Sequence, residues 1–257
     1  MIRTLSLCLL ASVTLATPVL AEAYKVGVSA EPYPPFYTPD SDGNWSGWEV
    51  DFINALCDRL ETECEVTPIA WEGIIPALNT GKIDMIMGSM SITPARAEQI
   101  AFSDKYYDAP TGLVTLKGAD ITPTPEGVEG AIIGAQSGAI QETYANKYYA
   151  DTAADIRIYQ TLDEELQDLA AGRLDAVVGD ALAMEPFINS ELGQTCCEYK
   201  GTVVSDPEVL GYGVGVGLRK DDTELLNKVN AAIAEIRADG TYEEISKPYF
   251  TVDIYGE

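Results

Sequence analysis

The chain has 257 residues and a formal net charge of −25, because 41 acidic residues outnumber 16 basic ones. A surface this negative repels phosphate backbones, which argues against nucleic acid as a partner. The sequence contains no histidine, and this excludes histidine-based catalytic triads, Cys–His dyads and His-ligated zinc. With 46% hydrophobic residues, the chain can build one large domain or two lobes.

The N-terminal segment has the features of an export signal. Arg3 precedes an apolar run over residues 5–15 that is too short to span a bilayer as a helix. Small residues suited to cleavage follow, at Ala21 and again at Ala23. We therefore predict that residues 1–21 are a cleaved signal peptide and that the mature chain is soluble in the periplasm.

Beyond this segment, short apolar runs alternate with amphipathic runs. The predicted strands are 24–28, 83–87, 113–116, 132–134, 156–158, 174–178 and 214–218, and the predicted helices are 50–60, 93–100, 161–172 and 223–238. The helix at Thr161 opens with a capping box, Thr161 to Glu164. Strands that alternate with helices predict an α/β fold with mainly parallel sheets.

Two octamers of the sequence are alike. Residues 81–88 read GKIDMIMG and residues 172–179 read GRLDAVVG. Each reads as the end of a helix, a glycine, a basic residue and then a buried strand. The repetition predicts two lobes built on the same βα plan.

Four cysteines belong to the exported part of the chain, where disulfides can form. Cys57 and Cys64 flank the end of a predicted helix and can close a small loop. Cys196 and Cys197 are adjacent, so they either form a vicinal bridge or stay as thiols. Without histidine or a further cysteine pair nearby, a metal site is disfavoured.

Polar residues follow the strand that ends at Gly88. Backbone N–H groups there, with the hydroxyls of Ser89 and Ser91, suit an anionic group of a ligand. Arg96 lies in the first turn of the next helix and can bind a carboxylate through its two-pronged guanidinium. The alternative is a capped helix that carries a surface arginine.

Asp180 occupies the equivalent position in the second octamer, directly after its strand. It can serve as a plain helix N-cap, or it can receive an ammonium group if it faces a cleft. A carboxylate site at Arg96 and an ammonium site at Asp180 would together fit an α-amino acid.

Two aromatic residues and one acid complete the candidate site. Tyr33 and Trp48 could sandwich a ligand side chain by stacking or cation–π contact, or either ring could belong to the core. Glu31, just before Tyr33, could meet a cationic side-chain end. The alternative for Glu31 is a solvated surface glutamate.

Several segments of the chain are typical of one family. They are 33–36 (YPPF), 47–51 (GWEVD), 89–96 (SMSITPAR), 102–107 (FSDKYY), 172–175 (GRLD) and 217–222 (GLRKDD). In these segments the chain resembles the polar amino-acid substrate-binding proteins of bacterial ABC importers, above all the lysine/arginine/ornithine and histidine binders. The spacing of Cys57 and Cys64 is also similar to theirs. The resemblance covers essentially the whole mature chain.

The resemblance implies two lobes that close on the ligand about a hinge of two crossing strands. The first lobe would comprise residues 22–107 with 214–257, and the second residues 108–213. Carried over by motif, Arg96 and the amides near Ser89 and Ser91 would take the α-carboxylate. Asp180 would take the α-ammonium, and the two aromatic residues named above would flank the side chain.

The chain departs from the family at two points. Where the family often has Ser or Thr, Ala139 and Ile140 stand here, so only backbone N–H groups remain to meet the ligand. Binders of cationic side chains usually carry an acidic residue slightly further before the tyrosine. Here Glu31 is nearer by about one residue, which makes Ser29 or Ala30 alternative occupants of that position.

These observations predict a monomeric periplasmic protein, not an enzyme, that captures a cationic L-amino acid of the arginine, lysine and ornithine class. Its partner would be the membrane permease of an ABC importer, with no cofactor or metal. One alternative is an enzyme similar to cyclohexadienyl dehydratases, with Glu31 or Glu49 as general acid. Another is a binder of a neutral polar amino acid or an opine. A receptor-kinase sensor is disfavoured, because no transmembrane or kinase segment follows Glu257.

Overall fold

The computed structural model describes residues 23–256, and the predicted signal peptide, residues 1–21, lies outside them. The strands are β1 (Tyr24–Ser29), β2 (Thr38–Pro39), β3 (Trp45–Ser46), β4 (Cys64–Ile69), β5 (Met85–Ile86), β6 (Ala101–Tyr107), β7 (Thr111–Leu116), β8 (Ile132–Gln136), β9 (Asp155–Tyr159), β10 (Ala176–Asp180), β11 (Cys197–Thr202) and β12 (Val214–Leu218). The α-helices are α1 (Trp48–Arg59), α2 (Ile74–Asn79), α3 (Pro94–Ala97), α4 (Ile140–Tyr148), α5 (Leu162–Ala170), α6 (Ala181–Asn189), α7 (Glu191–Cys196), α8 (Pro207–Leu210), α9 (Thr223–Ala238) and α10 (Thr241–Ser246). Within residues 23–256, none of these helices has the length and apolarity needed to span a membrane.

The strands form two five-stranded sheets, each flanked by helices. One sheet has the order β4-β1-β5-β12-β6 and the other has the order β11-β7-β10-β8-β9. The sheets are mixed and not mainly parallel as predicted, since each contains two parallel and two antiparallel pairings. The antiparallel pairings involve β6, β7, β11 and β12, which adjoin the crossings between the sheets. The strands that carry the βα plan, β1, β4 and β5 in one lobe and β8, β9 and β10 in the other, remain parallel.

The chain crosses between the two sheets twice. The first crossing, residues 108–110, is short and extended between β6 and β7. The second, residues 203–213, is longer and contains the one-turn helix α8. The lobe boundaries expected from the resemblance, at 107/108 and 213/214, fall at these crossings.

Local signals in the sequence account for several element boundaries. Thr161 caps α5 in a capping box with Glu164, as predicted. Thr93 accepts a hydrogen bond from the Arg96 amide and opens α3. That helix ends at Ala97, earlier than the predicted residue 100, and a turn leads from it into β6. Capping therefore determines where a helix starts more reliably than it determines the length.

Both pairs of cysteines are bonded. Cys57 and Cys64 join the end of α1 to the start of β4, with a Cα–Cα distance of 6.1 Å. Cys196 and Cys197 form the vicinal bridge that was one of the two open alternatives, at the junction of α7 and β11. The first bridge lies in the lobe of β1, away from the strand ends that face the second lobe.

We expect the Cys57–Cys64 bridge to stabilise the fold without contributing to binding. Replacing both residues by serine should lower the free energy of unfolding by about 2–3 kcal/mol, because the loop that the bridge closes is short. Urea unfolding of the variant and the wild type measures this difference. The affinity for an amino acid should be the same in both proteins, and a variant that folds as stably as the wild type would contradict the prediction.

Candidate functional site

A cleft lies between the two lobes, at the carboxyl ends of their parallel strands. Ligands of open α/β sheets bind at such edges. From the first lobe the lining residues are Ser29, Glu31, Pro32, Tyr33, Tyr37, Trp71, Gly88, Ser89, Ser91 and Arg96. From the second lobe and the crossing they are Ala109, Gln136, Ala139, Ile140, Gln141, Thr161, Leu162 and Asp180.

Arg96 supplies the positive charge of the cleft. It stands on α3, and its guanidinium donates to the carbonyl oxygen of Ser91 at 3.1 Å and, across the cleft, to that of Gly138 at 3.4 Å. The guanidinium carbon lies 5.4 Å from the centre of the Trp71 ring. Burial lowers the pKa of Arg96 to about 10, so the side chain stays protonated at neutral pH and can bind a carboxylate.

Asp180 supplies a negative charge from the opposite lobe. The residue is 5% exposed, and its carboxylate caps α6 by accepting from the amides of Leu182 at 2.8 Å and Ala183 at 3.3 Å. Burial raises the pKa of Asp180 to about 6, although those amides and the Tyr33 hydroxyl favour the charged form. Asp180 is thus both an N-cap and a cleft residue, and its role toward an ammonium group stays a prediction.

The two lobes touch each other around the cleft. The Ser137 hydroxyl donates to a Glu72 carboxylate oxygen at 2.5 Å, and the Tyr33 hydroxyl faces Asp180 of the second lobe. Together with the bond from Arg96 to Gly138, these contacts hold the lobes in a closed arrangement. In this arrangement Arg96 and Asp180, which are more than 80 residues apart in the sequence, face one cavity.

Glu31 lies at the wall formed by the end of β1. Its carboxylate accepts a hydrogen bond of 2.5 Å from the Ser29 hydroxyl, and both residues line the cleft. Ser29 and Glu31 were alternative candidates for contact with the end of the ligand side chain, and this hydrogen bond joins them. Ile140 lines the opposite wall at the start of α4, whose N-cap, Ala139, makes no side-chain capping bond.

Trp48 is in a different place from the one predicted. It does not line the cleft but is fully buried in the core of the first lobe. Its indole N–H donates to the Ser246 hydroxyl at 3.0 Å, and its ring stacks on Phe52 with a centroid distance of 5.4 Å. As the first residue of α1, it packs its ring between that helix and α10, so it is a core residue.

Trp71 is the cleft tryptophan that sequence reasoning missed. It follows β4 directly, at the same edge of the sheet as the other cleft residues. The only feature of the sequence that could have indicated Trp71 was its position, because a residue just after a strand lies at the edge of the sheet where ligands bind. Tyr33 does line the cleft, so the aromatic residues in its wall are Tyr33, Tyr37 and a different tryptophan from the one predicted.

Ser89 and Ser91 both line the cleft, but Ser89 directs its donors inward. Its amide lies 3.1 Å and its hydroxyl 3.3 Å from a carboxylate oxygen of the buried Glu49. The expectation that the Ser89 amide meets a ligand carboxylate therefore fails for this arrangement. Gly88 and Ser91 keep their predicted places in the cavity wall.

The cleft has the composition of an organic-ligand site. Among residues 23–256, no group of three or more acidic or cysteine side chains is arranged to hold a metal ion. Opposite charges from the two lobes, an additional carboxylate and aromatic walls can bind a zwitterion with a side chain. A cleft of this kind between two α/β lobes defines a two-lobed solute-binding protein.

Comparison with known proteins identifies the family. Residues 24–252 match the bacterial extracellular solute-binding proteins, family 3, and the chain belongs to that family. It is 40% identical over 260 residues to the histidine-binding periplasmic protein of Escherichia coli (strain K12), covering 100% of this chain and 98% of the relative. It is 39% identical over 239 residues to the lysine/arginine/ornithine-binding periplasmic protein of the same strain, covering 93% and 91%.

The fold is also that of a solved relative. An ancestral arginine-binding protein bound to arginine superimposes with a TM-score of 0.80 at 32% identity, and the match covers 90% of this chain and 99% of that one. All three of these relatives carry names of binding proteins. The predicted two-lobed fold and the resemblance to polar amino-acid binders are confirmed.

Proposed function

We propose that the protein captures a cationic L-amino acid in the periplasm and delivers it to the membrane permease of an ABC importer. The observation that carries the proposal is that Arg96 and Asp180 face one cavity from opposite lobes. A guanidinium and a carboxylate in that arrangement fit the α-carboxylate and the α-ammonium of an amino acid. The protein acts as a monomer and performs no chemistry on its ligand.

The side chain of the ligand is assigned through Glu31. This carboxylate lines the same cavity and is held by Ser29, while the Tyr33 and Trp71 rings offer faces to an alkyl stem or a guanidinium plane. A cationic end meets an opposite charge there, whereas an acidic end would meet a like charge. The names of the relatives support this assignment, since they include histidine, lysine, arginine and ornithine.

A panel of amino acids tests the proposal directly. We expect arginine, lysine or ornithine to raise the melting temperature more than glutamine, and glutamate to have almost no effect. Saturation at a thousand times the dissociation constant stabilises the protein by about 4 kcal/mol. If none of the common amino acids changes the melting temperature, the proposed function is wrong.

Glu31→Gln should reduce the preference for cations. The loss of one charge-assisted hydrogen bond should weaken arginine binding by about 1.5–3 kcal/mol and leave glutamine binding nearly unchanged. Calorimetry with both ligands measures the two effects. Glu129→Gln, at an exposed position of the second lobe, is the matched control. An unchanged ranking of ligands in Glu31→Gln would contradict the role of Glu31 but not the amino-acid site.

A further inference from the structure

Glu49 is a buried acid directly behind the wall of the cleft. It lies in the first turn of α1 and is 0% exposed. Its carboxylate accepts hydrogen bonds from the Ser89 amide, the Ser89 hydroxyl and the Tyr106 hydroxyl. All of these donors are neutral, so the charge of an ionised Glu49 is met by dipoles alone.

Ser89 connects this acid to the ligand cavity. It lines the cleft, and its φ of 58° is in the left-handed region that residues other than glycine rarely adopt. In that conformation both its amide and its hydroxyl are directed at Glu49 at 3.1–3.3 Å. The hydroxyl hydrogen is engaged with Glu49, and the buried Tyr107 hydroxyl faces the Ser89 oxygen and can donate to one of its lone pairs. The second lone pair remains to accept a hydrogen bond from a donor in the cleft.

The surroundings of Glu49 are anionic or neutral. The titratable groups that face it are Tyr37, Tyr106 and Tyr107 from the first lobe and Asp180 from the second. Burial raises the pKa of Glu49 to about 7, partly opposed by its hydrogen bonds from Tyr106 and Ser89, and the charge of Asp180 raises it further. Two buried acids therefore approach the same side of the cleft, and each disfavours the ionisation of the other.

We propose that Glu49 is a positioning residue of the ammonium site, acting through Ser89. An ionised Glu49 holds the Ser89 hydroxyl so that its oxygen accepts from the ligand ammonium beside Asp180. A protonated Glu49 becomes a donor itself, and the Ser89 hydroxyl then turns its hydrogen toward the cleft, where it opposes an ammonium. This inference rests on the proposed function, because it requires an α-amino group in the cleft.

The role predicts that ligand binding releases protons. The positive ammonium favours the ionised forms of Glu49 and Asp180, so acids that are partly protonated in the free protein lose protons on binding. The direction of the pH dependence follows from this. The affinity for the ligand has its maximum value above the raised pKa values and decreases as the pH falls through them. With pKa values of about 7 and about 6, affinity should fall about tenfold through Glu49 between pH 8 and pH 6, and about twofold more through Asp180.

Calorimetry with arginine between pH 6 and pH 8, in pairs of buffers that differ in ionisation enthalpy, tests this inference. The wild type should release protons and lose affinity toward pH 6 as given above. Glu49→Gln should keep only the twofold loss and release fewer protons. Ser89→Ala leaves the acid in place but removes the connecting hydroxyl, so its pH profile should match that of Glu49→Gln, and the double variant should add nothing further.

Glu129→Gln is the matched control. Glu129 is an exposed acid of the second lobe and does not line the cleft, so its replacement should leave the pH profile of binding unchanged. A wild-type profile in Glu49→Gln, or in Ser89→Ala if the first variant does not fold, would overturn the role of Glu49 alone. Failure of the wild type to bind any amino acid would overturn the proposed function and this role with it.

Discussion

Arg96→Ala should strongly weaken amino-acid binding while the protein still folds. The guanidinium is the cation that faces Asp180 across the cleft, and it also bonds to Gly138 of the opposite lobe. Truncating one partner of a buried, charge-assisted contact costs about 2–5 kcal/mol, which corresponds to a loss of affinity of roughly 30-fold to several thousand-fold. Calorimetry measures the affinity, and thermal unfolding without ligand shows that the fold is retained.

Two further variants separate charge from geometry. Arg96→Lys keeps a positive charge but loses the planar fork, so it should bind with intermediate affinity. Arg157→Ala removes an arginine from a partly exposed ion pair with Asp155 in the second lobe and should leave affinity unchanged. Near-wild-type affinity in Arg96→Ala would show that the carboxylate is bound elsewhere in the cleft.

The alternation of strands and helices could be predicted from the sequence, but the direction of the strands could not. Buried strands such as β10 and β12 are both continuous apolar runs, and such a run has the same appearance in a parallel or an antiparallel pairing. Direction depends on where the crossings at 108–110 and 203–213 return the chain. That is a property of the tertiary fold, and it explains why the sheets are mixed.

The site was predictable where a residue stands at the end of a strand. Arg96, Ser91 and Asp180 follow the strands of the two similar octamers, and parallel strands bring such positions to one edge. The tryptophans show the limit of this reasoning. Trp48 begins a helix and could face the core or the cleft, a choice that its packing against Phe52 and Ser246 decides.

Buried acids are the other feature that the sequence concealed. In a chain with 41 acidic residues, any single glutamate is most simply interpreted as a surface residue. Glu49 and Glu165 are nevertheless fully buried. Their burial results from long-range contacts: Glu49 on α1 meets Ser89 from the loop after β5 and Tyr106 from β6, and these partners cannot be deduced from local periodicity.

Replacing Glu165 should have the second large effect, in this case on the free energy of unfolding. It lies on α5 with both carboxylate oxygens buried and without a hydrogen-bond partner among residues 23–256. Its Cβ is 3.5 Å from the position where a Cβ on Gly134 would stand, so it packs directly against β8. Burial raises the pKa of Glu165 well above its usual value of 4.5, and the neighbouring charge of Glu164 adds to the shift.

The raised pKa of Glu165 determines how the free energy of unfolding changes with pH. A carboxyl whose folded pKa is raised contributes stability that is fully present below the unfolded pKa of 4.5 and is lost as the pH rises toward the folded pKa. Glu165→Gln and Glu165→Leu both remove this titration. Relative to either variant, the wild type should therefore lose stability above pH 4.5, by at most about 1.4 kcal/mol per pH unit.

At pH 8 we expect Glu165→Leu to be more stable than the wild type by about 2–4 kcal/mol, since the folded wild type must keep a proton on a buried carboxyl that is ionised in the unfolded chain, and leucine carries no such cost. Urea unfolding at pH 4.5, 6 and 8 measures the difference, and the contributions of all other groups cancel in the comparison. Glu129→Gln, at an exposed position, should run parallel to the wild type across this range. If the Glu165 variants also run parallel to the wild type, then Glu165 titrates as an ordinary glutamate and its charge is met in the folded protein.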